Sequence, residues 1–157
     1  SAACAISTTA TGTLSNTVTV TVAGGIVDTA PGNNGATDSN TVNTFPTLSI
    51  DDVSITEGNT GSSTLNFTVT RTGTTASAVG FSFATANGTA TAGSDYVAAS
   101  GTGTIPAGGA SGSTQVSVTI NGDAVFENNE TLFVNLTAPS NATIADGQGI
   151  GTITNDD

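Results

Sequence analysis

Apolar and polar residues alternate in short runs along most of this chain, and nowhere do apolar residues recur at helical spacing. In the first third, Leu14, Val18, Val20 and Val22 alternate with Thr17, Thr19 and Thr21. Gly24-Gly25 and a Gly/Asn/Pro loop over 28–35 follow, then a weaker strand pattern over 36–42. Pro46 marks a joint. Beyond it the alternation sharpens at Leu48 and Ile50; Leu65, Phe67 and Val69; Val79, Phe81 and Phe83; Val116, Val118 and Ile120; Leu132, Val134 and Leu136; and Ile150 to Ile153. Each set takes every second position, so each is read as directing its apolar side chains to one face and a shared core. The pattern predicts about six or seven strands over roughly 110 residues, an all-β, immunoglobulin-like antiparallel β-sandwich spanning 46–157. Residues 1–45 hold only two or three strands, too few to bury both faces alone, and read as a partial β-sandwich segment.

Composition removes many functions. The 157 residues carry 12 acids and a single base, Arg71, for a net charge of −11, with no His, Met or Trp. Without cations to neutralise phosphates, nucleic acid is excluded as a partner, and an anionic membrane is a poor one. The absence of His rules out an imidazole-based triad and a His zinc site. Cys4 stands alone, which excludes an internal disulfide or a multi-Cys metal site; it reads as a small buried apolar residue or as a thiol whose partner lies elsewhere. No apolar run approaches the ~18 residues needed to insert across a bilayer, and Ser1 opens no signal peptide, so the chain reads as a mature or excised piece. Abundant Thr, Ser, Gly and Asn with no Lys suits an extracellular protein of a bacterial or archaeal cell surface. The Asn-x-Ser/Thr triplets at Asn66, Asn87, Asn129, Asn135 and Asn141 are what such a composition produces by chance.

The carboxylates are clustered. Asp123, Glu127 and Glu130 follow the strand ending at Ile120, Asp156 and Asp157 follow the last strand, Glu57 follows the first strand past the joint, and Asp95 sits in Gly93-Ser-Asp-Tyr96. Loops after strands that point the same way converge at one end of a sandwich. Two carboxylates ~4 Å apart repel by about 4 kcal/mol at an effective dielectric near 20, so such a gathering without Lys or Arg favours a bound cation. Hard oxygen ligands with no nitrogen or sulfur select Ca²⁺ over transition metals, and over Mg²⁺, which demands a tight octahedron. The plainer alternative is a solvated acidic rim in which each acid accepts a turn hydrogen bond.

Residues 46–157 also resemble a Calx-beta domain, the module found in sodium–calcium exchanger regulatory loops and in many bacterial surface proteins. The matching stretches are Ser49-Ile-Asp-Asp-Val-Ser-Ile-Thr-Glu-Gly58, Ala84-Thr-Ala-Asn-Gly-Thr-Ala-Thr-Ala-Gly-Ser-Asp-Tyr96, Gly122-Asp-Ala-Val-Phe-Glu-Asn-Asn-Glu130 and Gly151-Thr-Ile-Thr-Asn-Asp-Asp157. The resemblance implies Ca²⁺ as the bound ion, with Glu57, Asp95, Asp123, Glu127, Glu130, Asp156 and Asp157 as metal ligands. Where the several-ion members carry further acids, this chain has Gly122 and Asn155, which implies fewer or weaker ions. Extracellular modules bind at roughly 10⁻⁴–10⁻³ M, the range of a structural surface site. Asp51 and Asp52 are left out of the set, Asp52 being as readily a turn acceptor. Tyr96 reads as a core or rim anchor, and Asp28, Asp38 and Asp146 as loop acids.

The front segment is similar to the C-terminal half of the bacterial surface repeat called domain of unknown function eleven, through Ala10-Thr-Gly-Thr-Leu-Ser-Asn-Thr-Val-Thr-Val20 and Asp28-x-x-Pro31-x-Asn33-Asn34. Three functions compete. The first is a non-enzymatic, Ca²⁺-stiffened structural or adhesive module of a surface protein or filament. The second is an accessory carbohydrate-binding domain of a secreted polysaccharide-active enzyme, which needs exposed aromatics; only Phe45 and Phe133 fall outside inward strand positions. The third, a hydrolase built on Glu127 and Glu130, has no supporting nucleophile or base. The apolar face of residues 1–45 (Leu14, Val18, Val20, Val22, Ile26) needs a cover. The expected partners are neighbouring domains of a longer chain, or another copy through strand donation in a head-to-tail filament.

Overall fold

A computed structural model of the chain describes residues 12–19, 21, 24, 27, 29–30, 32, 35–42 and 44–157. The chain divides into two compact units, Ser1–Thr44 and Phe45–Asp157. In the first, β1 (Gly12–Thr19) pairs antiparallel with β2 (Gly35–Val42), from Gly12 opposite Val42 to Thr19 opposite Gly35. Two inner rungs carry hydroxyl pairs, Thr17 with Thr37 at 3.0 Å and Ser15 with Ser39 at 3.4 Å, and Val18 is 60% exposed. Val20, Val22, Ile26, Cys4, Asp28, Asn33 and Asn34 lie outside the described residues.

The second unit is a sandwich of a four-stranded and a five-stranded sheet. The first sheet runs in the order β10 (Thr143–Ile144), β3 (Thr47–Ile50), β5 (Gly61–Thr72), β8 (Ser111–Gly122). The second runs β4 (Val53–Thr56), β11 (Gln148–Thr154), β9 (Glu130–Ser140), β6 (Val79–Asn87), β7 (Ser100–Ile105). All pairings are antiparallel except β10 with β3 and β11 with β4, where short edge strands run parallel.

The stretch 47–56, which reads as one strand, is two. Asp51 and Asp52 carry the chain from one sheet to the other. Asp51 Oδ1 accepts the Thr68 N–H of β5 at 2.6 Å, and Asp52 Oδ1 accepts the Ile150 N–H of β11 at 2.7 Å. Each carboxylate replaces the rung that is lost where the strand crosses over.

The alternating sets meet in one core: Leu48, Ile50, Leu65, Phe67, Val69, Val79, Phe81, Val116, Val118, Ile120, Leu132, Val134, Leu136 and Ile153 are all buried, with Phe83 packed against them. Gly151 makes room for this packing, since a Cβ there would lie 2.8 Å from Leu65 Cδ2 and 2.9 Å from Phe67 Cζ. Ile150 departs from the expected set and is exposed, because residues three apart on a strand face opposite ways. Among the aromatics, Phe126, rather than Phe133, is the large exposed ring of the acidic loop, at 76%. Among the described residues no helix is long and apolar enough to cross a membrane.

Candidate metal centre

β5 and β8 pair along their whole length, from Gly61 opposite Gly122 to Thr72 opposite Ser111. At ~3.3 Å per residue this ladder separates the two ends of the sandwich by about 36 Å. The acids gather at the Gly61–Gly122 end. Glu57 precedes β5, Asp123 follows β8, Glu130 opens β9, Glu127 lies in the loop between them, and Asp156 and Asp157 follow β11.

Asp95 comes from the loop between β6 and β7, which is stitched to the last turn of β8. The Val97 N–H donates to Thr119 O and the Asn121 N–H to Asp95 O, both at 2.9 Å. Asn121 Nδ2 donates to Ser94 O at 2.7 Å. Tyr96 anchors the loop from below: it is buried, and its hydroxyl donates to Asn87 Oδ1 at 2.6 Å.

Asp95, Glu127 and Glu130 form the centre, each offering a carboxylate oxygen with all three within 4.8 Å of one another. At that spacing each pair of charges repels by about 3 kcal/mol before solvent screening, at an effective dielectric near 20. A proton between two of the carboxylates relieves this repulsion. Burial, together with the Asp95 carboxylate that bonds to it, pushes the Glu130 carboxyl up to about 7, with Glu127 and Glu57 adding to the shift. Asp95 goes the other way. Burial opposes its ionisation, but the Thr91 N–H (2.6 Å to Oδ2), Ser94 and the Glu130 carboxyl together hold it below the usual range. Glu57 completes the inner group: it is buried, and burial and then the charges of Asp123, Glu127, Asp157 and Asp95 raise its carboxyl.

The remaining three expected ligands lie on the rim of this group and already accept hydrogen bonds. Asp123 Oδ1 takes the Val125 N–H at 2.8 Å, Asp156 Oδ1 takes the Gly58 N–H at 2.9 Å, and Asp157 Oδ1 accepts Asn59 Nδ2. All seven acids therefore share one end of the sandwich, four inside and three at the mouth. Asp146, expected to be a loop acid, accepts the Gln148 N–H at 3.4 Å, and Asp38 lies within β2.

The two departures have structural causes. A Cβ on Gly122 would lie 2.1 Å from Gly58 O, so a carboxylate at 122 has no room. Asn155 is a positioning residue. Its Oδ1 accepts the Glu127 N–H at 3.1 Å, its own N–H donates to Asn129 Oδ1 at 3.2 Å, and its Nδ2 donates to Asp157 O at 3.2 Å. Sequence reasoning missed Asn87, Asn121 and this role of Asn155, since Asn at a strand end carries the same signal as any turn residue.

The donors suit a hard divalent cation. Every candidate ligand is a carboxylate oxygen, and Arg71, the sole cation of the chain, is buried at the far end of β5, where it donates to Gly73 O and, at 3.0 Å, to Gly109 O.

No curated protein matches the chain by sequence. Solved structures with a similar fold include the apo-form Calx CBD1 domain, at 23% identity and a TM-score of 0.63, covering 72% of this chain and 99% of that one. CBD12 from CALX1.2 and the calcium binding domain CBD12 of CALX1.1 are also 23% identical, with TM-scores of 0.63 and 0.62. They cover 71% and 70% of this chain and 46% of each of theirs. The Calx-beta domain family model matches residues 41–157. It gives no support to the likeness of residues 1–45 to a surface repeat. A family match over that length, on a sandwich whose acids converge at one end, places this chain in the Calx-beta domain family.

Proposed function

We propose that residues 46–157 bind Ca²⁺ through Asp95, Glu127, Glu130 and Glu57, with Asp123, Asp156 and Asp157 contributing at the rim. The observation that carries this reading is the inner trio within 4.8 Å beside a buried Glu57, with the only Arg bonded to carbonyls at the other end. A bound divalent ion neutralises what the apo site otherwise balances with a proton. The calcium binding domain named among the similar structures supports the same choice of ion.

The module's role is structural. It is a non-enzymatic part of an extracellular surface protein or filament, in which Ca²⁺ stiffens the acid-bearing end of the sandwich. Residues 1–45 act as a partial surface-repeat segment whose two strands are covered by neighbouring domains or by another copy. A carbohydrate-binding role is less well supported, because the most exposed rings, Phe45 and Phe126, are isolated rather than arranged as a platform.

Thermal melts test the ion reading. Millimolar Ca²⁺ raises the midpoint of the full chain over that in calcium-free buffer, and Glu127→Gln removes most of the rise. Identical midpoints with and without Ca²⁺ refute it.

A further inference from the structure

Every edge of the sandwich but one is short or guarded. β10 spans only Thr143–Ile144, and β4 spans four residues between the Asp51-Asp52 pair and Glu57. β7 spans six residues, Ser-Gly-Thr-Gly-Thr-Ile, and runs straight into Pro106. β8 differs. It is twelve residues long, contains no Pro and no charge, and ends the four-stranded sheet. Residues 95–97 cap only its last part, through Thr119, Ile120 and Asn121. Along Ser111–Val118 its outer backbone groups have no partner among the described residues. Charge, Pro, bulges and shortness are the usual protections of an edge strand, and this stretch has none of them.

We propose that the outer edge of β8 is a self-association surface on which a second copy of this chain lays its own β8, antiparallel, about a two-fold axis near Gln115. Charge selects the occupant. Two copies of a chain with net charge −11 repel over most approaches, but a β8-to-β8 contact brings together Ser-Gly-Ser-Thr-Gln-Val-Ser-Val with no acid on either side. Alternation requires an axis that sets inward-facing positions opposite one another, and an axis at Gln115, midway along the uncapped stretch 112–118, does so: it pairs Val116 with Thr114 and Val118 with Gly112, while exposed Ser113 and Ser117 oppose each other. The contact is isologous and closes as a dimer, joining the two four-stranded sheets into one. It is independent of the metal reading and differs from donation of a strand by residues 1–45.

Sedimentation of the full chain, run in calcium-free buffer and again in Ca²⁺, tests the proposal. The wild type shows a concentration-dependent dimer in both. Gln115→Lys sets two cations against each other at the axis and weakens that dimer at least tenfold, with the melting midpoint of dilute protein unchanged. Ser117→Lys serves as the second variant if the first folds poorly. In a Cys4→Ser background, Gln115→Cys forms a disulfide-linked dimer under mild oxidation, while Thr102→Cys on exposed β7 does not. A wild type that stays monomeric, or self-association that survives both lysines, overturns the proposal. So does a Gln115→Cys protein that fails to cross-link, the outcome expected if the front segment is the donor.

Discussion

Glu130 and Asp95 hold one proton between them where two free carboxylates would repel, and this makes the apo protein sensitive to pH in an unusual direction. The Glu130 carboxyl is raised from 4.5 to about 7, so the folded state binds the proton more tightly than the unfolded chain does. The stabilisation is complete below 4.5 and is lost as pH rises through about 7; Glu57, also raised, acts in the same sense. Asp95, lowered, works oppositely but only below its ordinary range near 3.8. In calcium-free buffer the melting midpoint therefore falls between about pH 5 and pH 7.5, whereas Ca²⁺ displaces the proton and flattens the profile. A flat profile without Ca²⁺ contradicts the shared proton. Positioning matters at the same scale. Asn155→Ala removes no carboxylate but frees the Glu127 backbone, and Ca²⁺ affinity drops several-fold in calorimetry while the midpoint in calcium-free buffer moves little. Unchanged affinity would show that the loop holds its shape without Asn155. The acids themselves were legible, because their spacing in loops and their matching motifs are written in residue identity. The Asn residues that hold those loops were not, because the same residue type serves every turn.

Among elements, the strands with alternating apolar positions were legible and the others were not. β7 shows Gly and Thr until Ile105, so its sequence carries no inward-facing row until its last residue; the rings of Phe81 and Phe83 from β6 fill the space over its glycines. β4 was hidden inside what reads as one strand, because the sheet crossing is made by two Asp residues that elsewhere would mark a surface loop. Arg71 was equally opaque. It occupies an inward position of β5 in line with Val69, where its Nη1 donates to the carbonyls of the turns at Gly73 and Gly109 while its buried Nε has no partner among the described residues. Arg71→Ala leaves a cavity and at least one carbonyl without its donor, for an expected loss of about 3 kcal/mol. Chemical denaturation measures that loss. Ca²⁺ affinity should stay within about twofold of wild type, because the site lies at the other end of a twelve-residue ladder. A large loss of affinity in a folded Arg71→Ala protein would mean that the two ends are coupled.

For the whole molecule, the second unit has its core and its acid cluster in separate places. The buried apolar residues fill the space between the sheets, while the carboxylates sit at one end of it, Glu130 at the first residue of β9 and the others in loops. Removing Ca²⁺ should therefore loosen one end without unfolding the sandwich. An ion bound only by the native state adds RT ln(1+[L]/Kd), about 2.7 kcal/mol at a hundredfold excess over Kd. Hydrogen exchange in calcium-free buffer checks this: protection falls at 89–97 and 123–129 and persists in β5, β8 and β9. Global loss of protection would show that the ion is needed for folding. The sandwich and the gathering of its acids at one end could be read ahead of the structure, since alternation fixes faces and loops between strands must emerge at the ends. A partner for β1 and β2 could not, because two strands alone do not specify one.

On the reading proposed above, Asp95, Glu127 and Glu130 gather to hold Ca²⁺ rather than to form a solvated rim. Calorimetric titration of the full chain with Ca²⁺ tests it most directly, comparing wild type with Glu127→Gln and with Asp146→Asn, a carboxylate away from the cluster. Binding is expected to be saturable in the wild type, unchanged in Asp146→Asn and weakened at least tenfold in Glu127→Gln, with all three proteins equally folded. No saturable heat in the wild type, or the same isotherm for Glu127→Gln, would contradict it.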